Sequence, residues 1–147
     1  MDSSYIKCII GIIVIFAILG CIFSLFGGDG STEVYVNDVK FHIPSGFEEN
    51  PSIASQHQIM NNGVKYDVKA YDNEAGDNIV ITVSDLKDDT IDSVDNLKNQ
   101  GYEGKSIHGK DGVIQYIYGE PQFLYVENGK FIGIDSTDES LIDKVID

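Results

Sequence analysis

Acidic side chains form the two densest groups of possible ligands in this sequence. One group enters a predicted helix, and the other occupies residues 72–77 at a predicted hairpin tip. Such loops supply the carboxylate oxygens that Ca²⁺ prefers, but the EF-hand spacing fails: position six from Asp72 is Asp77, not glycine, and position twelve is Val83, not glutamate. A solvated helix face and a polar turn are therefore favoured, with a calcium-dependent surface module as an alternative. The first group is Asp85, Asp88, Asp89, Asp92 and Asp95.

Histidine and cysteine, which serve nucleophilic and zinc chemistry, are not grouped. The three histidines, His42, His57 and His108, have no partner at metal-ligand spacing. Residues 104–106 (GKS) look like the end of a phosphate-binding loop, but its first glycine would be Asn99. No Gly-x-Ser-x-Gly nucleophile motif occurs. We therefore predict no catalytic, cofactor-binding or metal-binding residue, and a small tethered hydrolase is the alternative.

Tyrosines form the remaining candidate surface. Tyr116 and Tyr118 alternate along one predicted strand, and Tyr125 lies on a neighbouring one. The three rings could line an open sheet for a partner or peptide. Half-exposed tyrosines are normal on antiparallel sheets, so core or cross-strand packing is favoured and the tyrosines are not predicted to be a site.

The elements that carry these residues follow a long apolar segment at residues 8–26. Its 19 residues contain one conventionally polar side chain, Ser24. As a helix the segment would be about 28 Å long, close to the hydrocarbon thickness of a bilayer. The sequence therefore predicts a short N-terminus at 1–7, a transmembrane anchor at 8–26 in contact with lipid, a linker at 27–32 and a domain at 33–147.

Two processed forms of this segment are alternatives. A cleaved signal peptide would need a shorter apolar run and a small-x-small site, for which residues 28–30 are the only tolerable candidate. A lipoprotein would use the lipobox-like residues 18–21, which end at Cys21, but the apolar run continues beyond that cysteine. Gly20, Ser24 and Gly28 are spaced four apart, a pattern that also permits a homodimer through the membrane helix.

Charge predicts the orientation and limits the partners. Lys7 precedes the apolar segment, whereas residues 27–33 carry acids and no base, so the N-terminus is predicted in the cytoplasm and the domain outside it. The chain has 24 acidic side chains and 10 basic ones, all lysine. Such a surface repels phosphate backbones, which excludes nucleic acid as a favoured partner. Both cysteines lie inside the apolar segment, so the domain has no disulfide.

Alternating apolar residues predict a strand-rich domain. Strands at 34–36 and 39–43 flank a turn at Asn37-Asp38, and strands at 123–127 and 130–134 flank Asn128-Gly129, a strong hairpin signal. Strands are also predicted at 56–60, 64–71, 79–83, 105–107 and 113–118. Turns are predicted at Asn62-Gly63, 74–77 and 108–112. The strand at 113–118 is apolar on both faces, which predicts a central position in the sheet.

Two helices are predicted to cover the sheet. Within residues 88–100, Ile91, Val94 and Leu97 recur at helical spacing, and Gly101 follows as a C-terminal residue. A last helix is predicted after a capping box that begins at Ser136. It presents Leu141, Ile142, Val145 and Ile146. A short helical turn is also predicted at 52–57. The predicted class is α+β, an antiparallel sheet with two helices packed on it.

One segment resembles a known fold. A strand ends in Pro-x-Gly-aromatic at residues 41–47 (FHIPSGF). This segment resembles the entry of the Mog1/PsbP-like α+β fold, and the strand at 131–134 with its following helix is similar to that fold's end. The layout also resembles small membrane-anchored proteins of methanogenic archaea. Members of this fold are mostly binding or assembly factors rather than enzymes, so the resemblance implies no catalytic residues. Together with the predicted anchor and orientation, we expect a non-catalytic extracytoplasmic binding or assembly module with a protein partner at the cell surface.

Overall fold

The computed structural model describes residues 31–52, 66–86 and 93–146. Nine strands and two helices lie wholly within these ranges. The strands are β1 (Thr32–Val36), β2 (Val39–Ile43), β3 (Glu48–Glu49), β4 (Tyr66–Asp72), β5 (Asn78–Asp85), β6 (Glu103–Ile107), β7 (Lys110–Ile117), β8 (Glu120–Glu127) and β9 (Lys130–Ser136). The helices are α1 (Ser93–Asn99) and α2 (Glu139–Val145).

The strands form one large antiparallel sheet and one small one. The large sheet has seven strands in the order β3-β4-β5-β9-β8-β7-β6, and β1 pairs with β2 in a separate hairpin. Every pairing among these strands is antiparallel. The predicted α+β class is confirmed for this part of the chain, since a mostly antiparallel sheet is combined with two short helices.

Tight turns of two residues connect four of the hairpins. Both residues of each turn have positive φ, as a type I′ turn requires, and asparagine and glycine tolerate this backbone well. The predicted turns at Asn37-Asp38 and Asn128-Gly129 are confirmed. The turn between β6 and β7 is shorter than the predicted reversal at 108–112. The φ values are 44° and 67° at Asn37-Asp38, 48° and 75° at His108-Gly109, 52° and 82° at Tyr118-Gly119, and 49° and 74° at Asn128-Gly129.

Apolar residues cover both faces of the large sheet. On one face the β1–β2 hairpin and α2 pack over β5, β8 and β9 in a cluster that includes Phe41, Phe123 and Ile142. On the other face α1 packs through Val94 and Leu97. Burial of this kind is the main favourable contribution to folding. The helices and the hairpin are therefore held by the sheet that they cover.

The strand predicted to be central is not central. Strand β7 lies next to the edge strand β6, whereas β9 is in the middle of the large sheet. The two-sided apolar pattern of β7 has another cause. Ile114 packs in the core beneath the hairpin, and Val113 packs against α1 on the opposite face. The predicted strand also runs one residue too far, because Tyr118 belongs to the turn after β7.

The first helix agrees with its prediction where it is described. Helix α1 covers Ser93–Asn99, and Gly101 follows it with φ of 99°, the left-handed conformation expected just beyond a helix end. Val94 and Leu97 are buried as predicted. The predicted start of this helix, including Ile91, lies outside the described residues.

The second helix begins two residues later than predicted. Its N-cap is Asp138, whose carboxylate accepts a hydrogen bond from the Ser140 amide at 2.8 Å. The predicted cap, Ser136, is the last residue of β9, and its hydroxyl donates to the carbonyl of Asn78 at 2.9 Å. The Ser136 hydroxyl also accepts from the Asp138 amide at 3.3 Å, so Ser136 connects β9 to the turn before the helix and does not cap the helix itself. All four predicted apolar residues of this helix, Leu141, Ile142, Val145 and Ile146, are buried as expected.

Among the described residues, no helix is both long enough and apolar enough to cross a membrane. The predicted anchor at 8–26 and the segment before it lie outside the described residues. So do residues 27–30 of the predicted linker, the predicted turn at Asn62-Gly63, the strand predicted at 56–60 and residues 53–57 of the predicted helical turn.

Candidate functional site

A groove lies between the β1–β2 hairpin and the β3–β4 side of the large sheet. Its volume is about 520 Å³, which is in the range of small-ligand sites. We call it the hairpin groove. It is lined by residues 32–35 of β1, Ile43, Phe47, Glu49, Lys69 and Tyr71.

The segment after β2 turns the chain back to form one wall of the hairpin groove. Pro44 ends β2, and the Phe47 amide donates to the Pro44 carbonyl at 3.4 Å across a turn in which Gly46 has φ of 89°. Only glycine adopts this φ without strain. The turn places Phe47 at the groove and leads directly into β3.

Strand β3 is short but firmly paired. Glu48 lies opposite Asp72 and Glu49 opposite Tyr71 on β4. The Asn50 amide donates to the Ala70 carbonyl at 2.7 Å, and the Asn50 side chain donates to the Asp72 carboxylate at 2.9 Å. Asp72 is buried, so this charge-assisted bond compensates for part of its lost hydration. The pairing fixes Glu49 at the rim.

The floor of the hairpin groove is continuous with the hydrophobic core. Ile43 and Tyr71 are buried members of the main core cluster, and Val34 and Phe47 are half-buried against it. The floor is therefore rigidly supported by packed side chains. Binding of a ligand with an apolar part would be favourable, because the ligand would shield the exposed apolar surface of Val34 and Phe47 from water.

Tyr71 supplies a polar group in this apolar floor. The residue is 4% exposed, and its hydroxyl oxygen is buried without a hydrogen-bond partner among the described residues. Burial raises the pKa of the Tyr71 hydroxyl, and the negative charge of Glu49 raises it further. The hydroxyl therefore keeps its proton throughout the physiological pH range and is a hydrogen-bond donor and acceptor with unused capacity.

Charged groups surround the apolar floor. Glu33, Glu49 and Lys69 line the hairpin groove, which gives it one excess negative charge. Glu33 is also 4.0 Å from Lys40, but both side chains are largely exposed and this ion pair contributes little. Histidine, serine and cysteine are absent from the described lining. The arrangement is suited to holding a neutral or cationic ligand with an apolar part.

A second polar cluster is buried within the large sheet. Asp135 on β9 is 3% exposed and lies opposite Gln122 on β8. Burial, and secondarily the charge of Glu120, raise the pKa of Asp135 from 3.8 to about 8, so its carboxyl group is largely protonated at neutral pH. Burial also raises the pKa of Glu120. The Gln122 side chain accepts a hydrogen bond from Gln115 at 2.6 Å.

This cluster was missed by sequence reasoning, although one signal was present. Asp135 shares a strand face with Phe131, which packs against α1, so a carboxyl group occupies a position expected to be apolar. Perturbed carboxyl groups are common at functional sites, but also occur as structural elements. Asp135 does not line the hairpin groove. The Asp135 cluster is therefore interpreted as a structural part of the sheet and not as a ligand site.

Two of the three histidines lie among the described residues, on different elements. His42 lies on β2, and His57 is outside the described residues. His108 lies in the turn before β7, where its Nε2 is 3.1 Å from a carboxylate oxygen of Asp143 on α2. Both side chains of this pair are about half exposed. The pair is a surface contact that connects the turn to α2.

Three described residues of the two predicted acidic groups each bond to a different partner. Asp72 accepts from Asn50, Asp77 accepts from Thr137 at 3.0 Å, and Asp85 pairs with Lys130. Asp95 is exposed on α1. Asp88, Asp89 and Asp92 lie outside the described residues. Within the described ranges there is no group of three or more His, Cys, Asp or Glu side chains that could hold a metal ion.

The three tyrosines do not form one surface. Tyr125 is buried and stacks on Phe123 of the same strand with ring centroids 5.3 Å apart, so core packing is confirmed for it. Tyr116 is 55% exposed and its hydroxyl donates to Glu139 at 2.7 Å. Tyr118, in the turn, is 83% exposed. Burial of Tyr125 rules out a partner surface that includes all three rings.

Comparison of the chain with models of protein families, with curated protein sequences and with solved structures gave no match.

Proposed function

We propose that this protein is a single-pass, membrane-anchored extracytoplasmic binding or assembly module without catalytic activity, and that the hairpin groove is its ligand site. The observation that carries the proposal is a groove of about 520 Å³ whose lining includes Tyr71, a residue whose buried hydroxyl has no hydrogen-bond partner among the described residues. An unsatisfied buried polar group costs free energy. A ligand that draws the Tyr71 hydroxyl into the groove and bonds to it would recover part of that cost.

The apolar segment at 8–26 supports the membrane anchor. Its length matches the hydrocarbon core of a bilayer, and the flanking charges favour a cytoplasmic N-terminus and an external domain. The first groove residue, Thr32, follows Phe26 by six positions, which span about 20 Å when fully extended. The hairpin groove would therefore lie near the membrane, facing partners at the cell surface.

The chemistry of the hairpin groove limits the ligand class. Two carboxylates and one ammonium group at the rim disfavour anionic ligands. The floor favours an apolar or aromatic group that carries one hydrogen-bonding atom for Tyr71. A segment of a partner protein with an apolar side chain meets these requirements. The resemblance to the Mog1/PsbP-like fold is consistent with such a role and stays a prediction.

Site-specific photo-crosslinking tests this proposal. Tyr35 lines the hairpin groove and is 60% exposed, so a benzoylphenylalanine at this position would contact a bound ligand. Tyr118, which is 83% exposed and not part of the groove, is the matched control. In intact cells we expect a discrete adduct from position 35 that is weakened by Tyr71→Phe, and none from position 118. Equal labelling at both positions, or no adduct at position 35, would contradict the proposal.

A further inference from the structure

Strand β6 forms one edge of the large sheet. Among the described residues its single strand neighbour is β7, so the backbone groups on its other side have no sheet partner there. Glu103, Gly104 and Ser106 are exposed, and Lys105 is half-buried. An edge strand of this kind is a template for pairing with another chain. The opposite edge, β3, offers two residues, whereas β6 offers five.

The turn before β7 determines which backbone groups of β6 face outward. His108-Gly109 is a two-residue turn, so the flanking residues Ile107 and Lys110 form a hydrogen-bonded pair. Hydrogen-bonded and non-bonded pairs alternate along an antiparallel ladder. Lys105 and Glu103 therefore direct their N–H and C=O groups towards β7. Gly104 and Ser106 direct theirs away from the sheet.

We infer that β6 pairs antiparallel with β6 of a second copy of this chain, with the twofold axis at Gly104. In this register Gly104 lies opposite Gly104 of the second copy, and both residues direct their backbone groups at each other. Ser106 lies opposite Tyr102 of the second copy. The seven-stranded sheets of two copies thus join edge to edge. The Tyr102 amide already donates to the Leu97 carbonyl at 3.1 Å, so each Ser106–Tyr102 pair is joined by one bond, from the Ser106 amide to the Tyr102 carbonyl.

The charges of Glu103 and Lys105 favour this register over the two adjacent registers. With the axis at Gly104, each Glu103 lies opposite Lys105 of the other copy, which gives two opposite-charge pairs. Outward-directed and inward-directed backbone groups alternate along β6. Another register therefore pairs outward groups with outward groups only if the twofold axis moves from Gly104 by a whole number of residues. An axis at Lys105 would place the two lysines opposite each other, and one at Glu103 would do the same with the two glutamates. Like charges directly opposite are destabilising.

The surroundings of Lys105 are compatible with this pairing. Lys105 forms an ion pair with Glu139 on α2, and Glu139 also accepts the hydrogen bond from Tyr116. The hydrogen bond that the Lys105 ammonium donates to Glu139 raises the pKa of Lys105, and the charge of Glu103 adds to the effect. The ammonium group therefore stays charged at neutral pH. It lies on the same strand face as Glu103, as the crossed pairs require.

The mass of the full-length protein in detergent tests the inference, measured by sedimentation equilibrium over a range of concentrations. We expect a dimer. Ser106→Pro removes an outward N–H but no bond to β7, and proline is tolerated on edge strands. Lys105→Glu places like charges opposite each other. Each variant should weaken dimerisation at least about tenfold. The double variant Glu103→Lys with Lys105→Glu restores opposite charges and should dimerise again.

Melting curves show whether each variant is folded. The two single variants act differently, because Ser106→Pro removes a backbone N–H and Lys105→Glu reverses a charge. A monomeric wild type would overturn the inference. So would dimers that persist in both single variants, which is the result expected if two copies associate through the membrane segment. A double variant that stays monomeric would overturn the register at Gly104.

Discussion

Glu49 and Tyr71 lie directly opposite each other on β3 and β4, and both line the hairpin groove. The carboxylate is close enough to raise the pKa of the tyrosine hydroxyl, yet no hydrogen bond joins the two groups among the described residues. Tyr71 therefore contributes a buried hydroxyl that has no hydrogen-bond partner among the described residues. The free-energy cost of this hydroxyl is the physical basis for proposing that the groove receives a ligand.

Replacing Tyr71 by phenylalanine should stabilise the protein. Tyr71→Phe keeps the packed ring and removes the buried hydroxyl without a partner, so we expect the free energy of unfolding to rise by about 1 kcal/mol. Urea denaturation measures this change. The matched control is Tyr116→Phe, which removes the exposed hydrogen bond to Glu139 and should leave stability unchanged or slightly lower. A Tyr71→Phe protein that is less stable than the control would show that the Tyr71 hydroxyl does have a stabilising partner, which contradicts the account.

The buried carboxyl of Asp135 should make stability depend on pH. Its pKa is about 8 in the folded protein and near 3.8 when unfolded, so the folded state binds more protons between these values. The free energy of unfolding contributed by this group is therefore highest below about pH 4 and falls as pH rises towards 8. The change is on the order of several kcal/mol. Urea unfolding measured from pH 5 to 8.5 should show the decline.

Asp135→Asn should remove most of this decline, because an amide does not titrate in that range and only the smaller contribution of Glu120 remains. Asp95→Asn on the exposed surface of α1 is the matched control and should retain the wild-type pH profile. Parallel profiles for Asp135→Asn and the wild type would show that Asp135 is not the group responsible.

Asn37 should hold the hairpin against the large sheet. Its buried side chain donates to the Asp85 carboxylate at 3.0 Å and to the Val83 carbonyl at 3.4 Å. Asn37→Gly keeps the positive φ but loses these bonds, so we expect a loss of about 1–2 kcal/mol and faster amide hydrogen exchange in β1. Asn128→Gly is the control, since Asn128 has a similar φ of 49° in an exposed turn. Equal effects would mean that the contacts of Asn37 do not hold the hairpin.

Gly112 should not tolerate a side chain. A Cβ there would lie 2.3 Å from the Leu124 carbonyl oxygen and 2.9 Å from the Phe123 ring, so β7 and β8 would have to separate. Gly112→Ala should cost about 3 kcal/mol or more. In the control Gly104→Ala, the Cβ is 3.3 Å from the flexible Lys98 side chain, and the cost should be below about 1 kcal/mol. Thermal unfolding distinguishes the two variants, and similar melting temperatures would contradict the close packing of β8 against Gly112.

Local features of this fold could be predicted from the sequence, because their causes are local. Asn128-Gly129 accepts the positive φ of a tight turn, and Val94 and Leu97 share one face of a helix whatever lies beneath them. The turn at Tyr118-Gly119 escaped prediction because tyrosine favours strands and gave no sign of a positive φ.

Features that depend on distant partners could not be predicted. Strand β9 lies between β5 and β8, so the centre of the sheet is set by a long-range pairing that no turn signal indicates. Ser136 has an ordinary capping pattern, but Asn78 competes for its hydroxyl. The hairpin groove combines residues of β1 with residues of β3 and β4 that are far away in sequence. Its existence follows from the packing of the hairpin and not from a motif.

The membrane tether is tested most directly by fractionating cells that express the full-length chain. We expect the whole chain to stay in the membrane pellet after alkaline carbonate extraction, because a span of 19 residues with a single polar side chain leaves the bilayer only with detergent. Protease added to intact cells should digest the domain. Recovery of the intact chain in the carbonate supernatant, or full protection of the domain from external protease, would contradict the proposed function.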